Sequence, residues 1–172
     1  MELEKRKYPI GKFESPGDFD ESKIKDWITV IKDFPVKIKG LTKDLSDSQL
    51  DTPYRENGWT VRQVVHHCAD SHMNAFIRFK LSLTEDKPVI KPYREDLWAE
   101  LSDTRQLEIQ PSVSMIEGLH FRWGIVLDNM QADDFHKVFI HPEHGTEINL
   151  YTALAMYEWH CRHHLGHIQQ TL

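Results

Sequence analysis

Apolar residues recur at three- and four-residue steps along four stretches of the chain, which is the pattern of amphipathic α-helices. In the first stretch, residues 27–45, Pro35 interrupts the apolar series, so we expect the helix to bend or split there. The second stretch opens with Thr60 and Gln63, which are spaced as a helix-capping box. It therefore predicts a helix over residues 61–84.

The third and fourth stretches predict two further helices, one starting near Pro111 and one over residues 150–171. Asn149 precedes the last helix and is a favourable N-cap residue. Just before it, two short β-prone segments flank the turn-forming residues 142–145, which predicts a small β-hairpin. The first 20 residues are rich in turn-forming glycine and proline, and we expect them to form an irregular arm.

Four long amphipathic helices predict an all-α fold, a four-helix bundle with a small β-hairpin before the last helix. We expect residues 1–172 to form a single helical-bundle domain, because this length is typical of one domain. The connection that begins near Asp86 should contain a short helical turn around residues 96–101. It is long enough for a crossover topology as well as for a simple up-and-down arrangement.

The composition narrows the possible functions. The net charge is −6 and the chain has no block of lysine and arginine, which argues against nucleic-acid binding. The N-terminus lacks the apolar run of a signal peptide, and no stretch approaches the roughly 18 apolar residues of a membrane span. The two cysteines, Cys68 and Cys161, do not make a disulfide framework, so a reducing, cytoplasmic location is the simplest interpretation.

The strongest chemical signal is the cluster of four histidines in the last predicted helix, His160, His163, His164 and His167. Residues four apart lie on one helix face, so two imidazoles at this spacing can bind one metal ion. The helical phase places His160 and His164 beside the apolar face, whereas His163 and His167 are turned toward solvent. The phase therefore favours the first pair and leaves the second open.

The helix predicted over residues 61–84 offers His66, His67 and His72 as sources of a third ligand. His67 lies at the edge of the apolar stripe, which suits a ligand at the rim of a pocket. His72 falls in the middle of the stripe and is more typical of a buried, hydrogen-bonded core histidine, while His66 points to the other side. Three imidazoles with an open coordination position describe a catalytic metal site rather than a structural one.

Other metal and nucleophile patterns find little support in the sequence. The spacing of His160 and His164 lacks the glutamate of the H-E-x-x-H zinc motif. Glu117 and His120 form a single E-x-x-H, whereas a di-iron carboxylate bundle needs two. Cys68 falls on a core face, as Cys161 does, and such cysteines are more often small core residues than ligands. No phosphate-binding loop and no G-x-S-x-G elbow are present.

At these residues the chain resembles the YfiT-like branch of the DinB superfamily, whose members are described as metal-dependent hydrolases. The longest matching segment begins at Gly58 with Gly-Trp-Thr-Val-Arg-Gln-Val-Val-His-His-Cys-Ala-Asp and ends at Asn74. The last, Trp-His-Cys-Arg-His-His-Leu-Gly-His-Ile, ends at Ile168. Shorter matches cover residues 8–11, 50–55, 77–85 and 119–123.

The resemblance implies a helical bundle that binds one divalent metal ion per subunit, zinc or nickel, through His67, His160 and His164. It also implies a cytoplasmic homodimer that acts on a small-molecule substrate. Cys68 stands where the family usually has an aliphatic residue. Because this position adjoins His67, participation of its sulfur remains an open alternative.

Three functions are compatible with such a site. A metal-dependent hydrolase would activate water at the open position, but the sequence identifies no general base, since Asp70 and His163 are nearby by spacing yet more typical of supporting or surface residues. A thiol S-transferase would hold a low-molecular-weight thiol such as bacillithiol there, and Arg78, Arg122 or Arg162 would bind its carboxylates. The third possibility is a non-catalytic metal-binding stress protein.

Overall fold

The computed structural model describes residues 2–143 and 145–172, which form a bundle of four long helices with shorter elements between them. The long helices are α2 (Glu21–Thr42), α4 (Val61–Thr84), α7 (Gln110–Asp128) and α8 (Leu150–Gln169). The short helices are α1 (Glu2–Lys7), α3 (Asp47–Leu50), α5 (Glu95–Trp98) and α6 (Ser102–Gln106). A 3₁₀ helix over Ala132–His136 precedes strands β1 (Val138–His141) and β2 (Thr146–Asn149).

The predicted four-helix bundle and its hairpin are therefore confirmed. Strand β1 pairs antiparallel with β2, and Val138 lies opposite Asn149 in the register. Within the bundle, α2 packs against α7 and α8, and α4 packs against the same two helices. The consecutive long helices α2 and α4 consequently lie diagonally across the bundle. The connections that cross the bundle are residues 43–60, between α2 and α4, and residues 129–149, between α7 and α8, whereas the long connection from α4 to α7 joins neighbouring helices.

The helix boundaries follow the predicted capping residues. The Thr60 hydroxyl accepts a hydrogen bond from the Gln63 backbone N–H, and the Gln63 side chain accepts one from the Thr60 N–H. The Asn149 side chain accepts from the Thr152 N–H at 2.8 Å and starts α8. These caps fix the starting points of the two helices that carry the histidines. Among the described residues, no helix combines the length and apolarity of a membrane-spanning segment.

Pro35 does not split α2, contrary to one of the expected outcomes, since the helix is continuous from Glu21 to Thr42. Proline has no backbone N–H, so the carbonyl of Ile31, four residues earlier, loses its usual helical donor. The imidazole Nδ1 of His120 lies 2.7 Å from that carbonyl oxygen and replaces the missing donor. The interruption in the apolar pattern therefore marks a link between α2 and α7 rather than a helix end.

The expected irregular arm is only partly correct, because α1 occupies residues 2–7. Residues 3–7 are leucine, glutamate, lysine and arginine, which are strong helix formers, and the turn-forming residues begin only at Pro9. The segment that follows α1 lies over α8, where the Trp159 indole N–H donates to the Gly11 carbonyl at 3.1 Å. The N-terminal segment therefore forms part of the surroundings of the histidine cluster.

Candidate metal centre

The three histidines proposed as ligands converge where α4 packs against α8. Each contributes one ring nitrogen, and these three nitrogens lie within 4.8 Å of one another: His67, His160 and His164. Nε2 of His67 is 3.2 Å from Nε2 of His160. Two nitrogens bound to one tetrahedral zinc at the usual bond length are about 3.3 Å apart. The observed spacing therefore fits two ligands of a single ion.

Burial keeps these imidazoles uncharged at neutral pH. His67 and His164 are buried, and His160 is partly buried beside them. Burial, with a smaller contribution from His167, lowers the pKa of His67 to about 4. Burial and the neighbouring imidazoles place the pKa values of His160 and His164 well below the ordinary value. Since metal binding needs the neutral imidazole, the cluster is ready to bind a cation without losing protons to solvent.

His72 is a buried core histidine, as its phase predicted, but its contacts connect it to the site. Its side chain is fully inaccessible to solvent. Nε2 of His72 is 3.0 Å from Nδ1 of His160, and Nδ1 of His72 is 2.7 Å from Nε2 of His120. His66 points away, and its Nδ1 pairs with the Ser112 hydroxyl at 2.7 Å. His72 thus contacts a proposed ligand directly, whereas His66 stays outside the site.

The prediction that His163 and His167 face solvent is wrong. Their exposed fractions are 7% and 2%. The ring of Tyr54 stacks on His167 with 3.8 Å between centroids, and the indole of Trp159 stacks on His163 at 4.3 Å. The phase of an isolated helix could not show this, because the covering groups come from other segments, including Tyr8 of the N-terminal segment.

A second group of ring nitrogens, from His163, His164 and His167, also lies within 4.8 Å of one another. In this group, Nε2 of His167 is 3.1 Å from the Lys7 carbonyl oxygen and its Nδ1 is 3.3 Å from Nδ1 of His164. Nδ1 of His163 is buried without a hydrogen-bond partner in the described part of the chain. The two groups share His164, and each contains one pair of ring nitrogens 3.2–3.3 Å apart, but only the first group draws its imidazoles from two helices, α4 and α8.

Gly166 allows the N-terminal segment to approach α8 closely. A Cβ atom at this position would lie 2.9 Å from Cγ of Pro9, which is too short for an ordinary contact. We therefore expect Gly166→Val to displace the N-terminal segment from α8. Hydrogen–deuterium exchange should speed up for the peptide over residues 3–13. Gly118→Val is the matched control, because a side chain there meets open space. Equal exchange in the two variants would contradict this role.

A cavity of about 470 Å³ opens onto the proposed ligands. Its lining combines aromatic rings, two cations and one carboxylate: Lys7, Tyr8, Tyr54, Arg55, Asn57, Gly58, Trp59, His67, Glu95, Met156, Trp159, His160, His163, His164 and His167. A second cavity, also about 470 Å³, includes Ser71, Arg78, Tyr93, Tyr157 and His160. Glu95, Met156 and His160 line both, so the site can be reached from two sides.

Of the two ionisable residues that lie near the ligands in the sequence, Asp70 and His163, only His163 lines the cavity at the ligands. Burial lowers its pKa to about 3, so it is neutral at physiological pH. Asp70 does not line either cavity in the described structure, and the charge of Asp103 on α6 acts on it. Partial burial raises the pKa of Asp70 to about 6. Asp70 is therefore not a lining residue, although its charge also acts on Tyr93 of the second cavity.

The three arginines considered for anion binding are separated by the fold. Arg78 lines the second cavity. Arg122 lies over the ring of Phe76, and Arg162 is paired with Glu158 on its own helix. Only Arg78 therefore adjoins the space at the ligands.

Both cysteines are buried core residues, as predicted. Burial raises the pKa of Cys68 and of Cys161, so both are neutral thiols at physiological pH. A buried neutral thiol is a poor ligand compared with the neighbouring imidazoles.

Sequence reasoning missed several cavity residues, notably Glu95, Arg55 and Trp59. Trp59 contacts the imidazole of His67 with 4.7 Å between ring centroids. Its position directly before the capping box was a usable signal, because it must lie near the start of α4. Glu95 carries no such signal, since α5 sits in an irregular connection whose path depends on tertiary contacts.

The fold and the site together define a class of protein: four-helix bundles in which imidazoles from two packed helices, here α4 and α8, converge. The family model described as the DinB superfamily matches residues 35–168. The chain therefore belongs to the DinB superfamily.

The relatives agree with this membership across nearly the whole chain. A Bacillus licheniformis protein named "Putative metal-dependent hydrolase" is 46% identical over 167 residues, covering 97% of this chain and 95% of its own length. A Bacillus cereus protein of the same name is 51% identical over 162 residues, covering 94% and 92%. The structure of YfiT from Bacillus subtilis matches with a TM-score of 0.94 and 44% identity, covering 97% and 95%. Its published description is "a probable metal-dependent hydrolase with an unusual four-helix bundle topology".

Proposed function

We propose that this protein is a metal-dependent hydrolase in which His67, His160 and His164 hold one divalent cation per subunit. The observation that carries the proposal is the convergence of three ring nitrogens within 4.8 Å on two packed helices. Imidazole ligands suit zinc and nickel, as they also suit copper and iron. The names of the relatives, with 46% and 51% identity, support the same class of chemistry.

When bound, such a cation supplies Lewis acidity and lowers the pKa of a coordinated water to about 7. The protein's own part is to position the ligands and to hold the substrate. Three protein ligands leave one position of a tetrahedral ion available, which is the arrangement of catalytic rather than structural zinc sites. The adjoining cavity of about 470 Å³ suits a small molecule.

Glu95 is the acid–base residue that this proposal favours. It lines both cavities together with His160, so its carboxylate adjoins the space where a substrate would meet the cation. Desolvation, reinforced by Asp96, raises the pKa of Glu95, although the residue as a whole is exposed, and a raised pKa favours proton transfer by a carboxyl group. Neither Asp70 nor His163 combines access to both cavities with a raised pKa.

Replacing Glu95 with glutamine should lower kcat/KM for hydrolysis by about 100-fold or more, the usual contribution of a general acid or base. The metal content should stay unchanged, because Glu95 is outside the ligand set. Hydrolysis of p-nitrophenyl acetate by the zinc- and nickel-loaded proteins measures the first effect, and metal analysis measures the second. Glu143→Gln is the matched control, since Glu143 lines only the second cavity. Equal loss in both variants would remove Glu95 from this role.

A thiol S-transferase is the second candidate, and the charges of the cavities favour it. Lys7 and Arg55 line the cavity at the ligands, and Arg78 lines the second. These cations would bind the carboxylates of a low-molecular-weight thiol whose sulfur occupies the open position.

A homodimer is also proposed, because two large apolar side chains on the neighbouring helices α2 and α7 are largely exposed. Val36 is 76% exposed and Phe121 is 74% exposed.

One set of assays separates these functions. The metal-loaded protein is incubated with a panel of esters and amides, and separately with monochlorobimane or a chlorodinitroarene, with and without bacillithiol. Cleavage without thiol supports the hydrolase, and turnover that requires thiol supports the transferase. Stoichiometric metal binding without turnover in either assay would favour a non-catalytic metal-binding protein and contradict the proposed activity.

A further inference from the structure

Three buried histidines lie outside the proposed ligand set: His72, His120 and His167. They form two lines of hydrogen-bonded rings, one ending at His160 and the other at His164. Each ring has both of its nitrogens within hydrogen-bond distance of a partner. A neutral imidazole has one donor nitrogen and one acceptor nitrogen, so two partners on each ring use both, and each partner constrains which nitrogen carries the proton.

The first line begins at the carbonyl of Ile31, which Pro35 has left without its helical donor. Nδ1 of His120 is 2.7 Å from this oxygen. A carbonyl oxygen can only accept, so Nδ1 of His120 must carry the proton. In a neutral imidazole the other nitrogen is then bare, and Nε2 of His120 can only accept.

The same reasoning passes along the line to the site. Because Nε2 of His120 accepts, Nδ1 of His72, 2.7 Å away, must donate. Nε2 of His72 is then bare and must accept from Nδ1 of His160 at 3.0 Å. The three rings hold three protons in three contacts, which is the number that three neutral imidazoles possess. The lone pair that remains is on Nε2 of His160, the nitrogen that lies 3.2 Å from His67.

A second line has the same logic and begins at a different carbonyl. Nε2 of His167 is 3.1 Å from the Lys7 carbonyl oxygen and must donate to it. Nδ1 of His167 is then bare and accepts from Nδ1 of His164 at 3.3 Å. His164 is thereby left with its lone pair on Nε2. Both lines end in the same state of a proposed ligand, although they share no residue.

We infer that His72, His120 and His167 are positioning residues that hold His160 and His164 in the Nδ1–H form, so that each presents a bare Nε2 to the cation. The role of these residues in metal binding rests on the proposed function, but the proton positions themselves can be measured in the metal-free protein. Histidines that bind metals commonly donate their second nitrogen to a fixed acceptor, and losing that acceptor costs about 10–100-fold in metal affinity. Here the acceptors are themselves histidines, and backbone carbonyls set their direction.

The first line also joins all four long helices. Its members are Ile31 on α2, His72 on α4, His120 on α7 and His160 on α8. Without the Ile31 carbonyl, His72 could carry its proton on Nε2 and donate to Nδ1 of His160. The proton of His160 would then lie on its own Nε2. That form cannot bind a cation through Nε2. Pro35 in the middle of α2 is consequently connected to a ligand on α8 through side chains of α7 and α4.

The test measures proton positions in the metal-free protein. Long-range ¹H–¹⁵N correlation spectra of protein with ¹⁵N-labelled histidine distinguish Nδ1–H from Nε2–H for each ring. The expected result is a single Nδ1–H form for His160 and for His164, and Nε2–H for His167. An Nε2–H form for His160 in the wild-type protein would overturn the inference.

Variants connect the proton positions to binding. His72→Phe keeps a ring of similar size without acceptors, and zinc affinity measured by competition with a chelator should fall about 10–100-fold. His72→Gln places a carbonyl oxygen near the former Nε2 and should recover most of the affinity and the Nδ1–H signal of His160. His66→Phe is the matched control, since this buried histidine of α4 pairs with Ser112 outside both lines and should leave affinity unchanged.

The outcomes separate this inference from the proposed function. If His72→Phe retains both the Nδ1–H form of His160 and full zinc affinity, His72 does not position the ligand. If His160 loses its single form in His72→Phe while the wild-type protein binds no divalent cation, the positioning holds and the metal-dependent function fails. If His72→Phe does not fold by circular dichroism, the comparison of wild type with His72→Gln and with His120→Phe decides, and loss of the Nδ1–H signal is expected in His120→Phe alone.

Discussion

Replacing His160 with alanine is expected to abolish stable binding of the divalent cation while the helical bundle remains folded. Nε2 of His160 lies 3.2 Å from Nε2 of His67, the spacing of two ligands of one ion. Its removal should cost more than the roughly 10–100-fold that loss of a ligand's hydrogen-bond partner costs. Inductively coupled plasma mass spectrometry of the purified variant measures bound metal, and far-ultraviolet circular dichroism measures helical content.

His136→Ala is the control for this experiment, because His136 is exposed and lies in the 3₁₀ helix away from the site. It should retain the metal content of the wild-type protein. Stoichiometric metal in the His160→Ala variant would refute the assignment of this ligand. If the variant instead has the circular dichroism spectrum of an unfolded chain, His160 is needed for the stability of the fold rather than for metal binding alone.

The metal-free protein should lose stability steeply as the pH falls from 7 to 5. Burial lowers the pKa values of His67, His120 and His167 to about 4, whereas an unfolded histidine titrates near 6.5. Between these values the unfolded chain binds more protons than the folded protein. The free energy of unfolding therefore decreases with falling pH and levels off below about pH 4.

The expected size follows from the same linkage. One such buried histidine contributes a loss of about 2 kcal/mol between pH 7 and pH 5. Two of them would remove about 4 kcal/mol, a large part of the roughly 5–15 kcal/mol that stabilises a typical domain. Asp70 and Glu95 act in the opposite sense, since their raised pKa values favour the folded protein as the pH falls, but neither of them is buried. Urea unfolding with excess chelator at pH 7, 6 and 5 measures the change. A constant or rising free energy of unfolding over this range would contradict the buried, neutral cluster.

The helical periodicity was sufficient to predict the bundle, because each long helix buries one apolar face. Val61–Thr84 has the predicted limits, since Thr60 and Gln63 cap it as their spacing indicated. The diagonal placement of α2 and α4 could not be predicted. Periodicity shows that a helix has an apolar face, but not which other helices cover that face.

The site was predictable only where helical phase decides it. The phase of His67, His160 and His164 placed them at the edges of apolar faces, and the fold brings them together. The phase failed for His163 and His167, because segments distant in the sequence bury them. It also gave no sign of Glu95, whose position depends on an irregular connection.

Pro35 shows how a local signal can have a distant meaning. In the sequence it indicated a break in a helix. In the structure its missing N–H leaves the Ile31 carbonyl to His120, and His120, His72 and His160 follow one another in hydrogen-bond contact. Such a relation becomes visible only when the helices are placed around one another.

The central claim is that three imidazoles from α4 and α8 hold one cation with a position left open for chemistry. X-ray absorption spectroscopy of the metal-loaded protein tests it most directly. The account predicts one ion per chain with three imidazole nitrogens at about 2.0–2.1 Å and a further light ligand that exogenous molecules displace. A sulfur ligand at about 2.3 Å from Cys68 or Cys161, or a fourth protein ligand that nothing displaces, would contradict it.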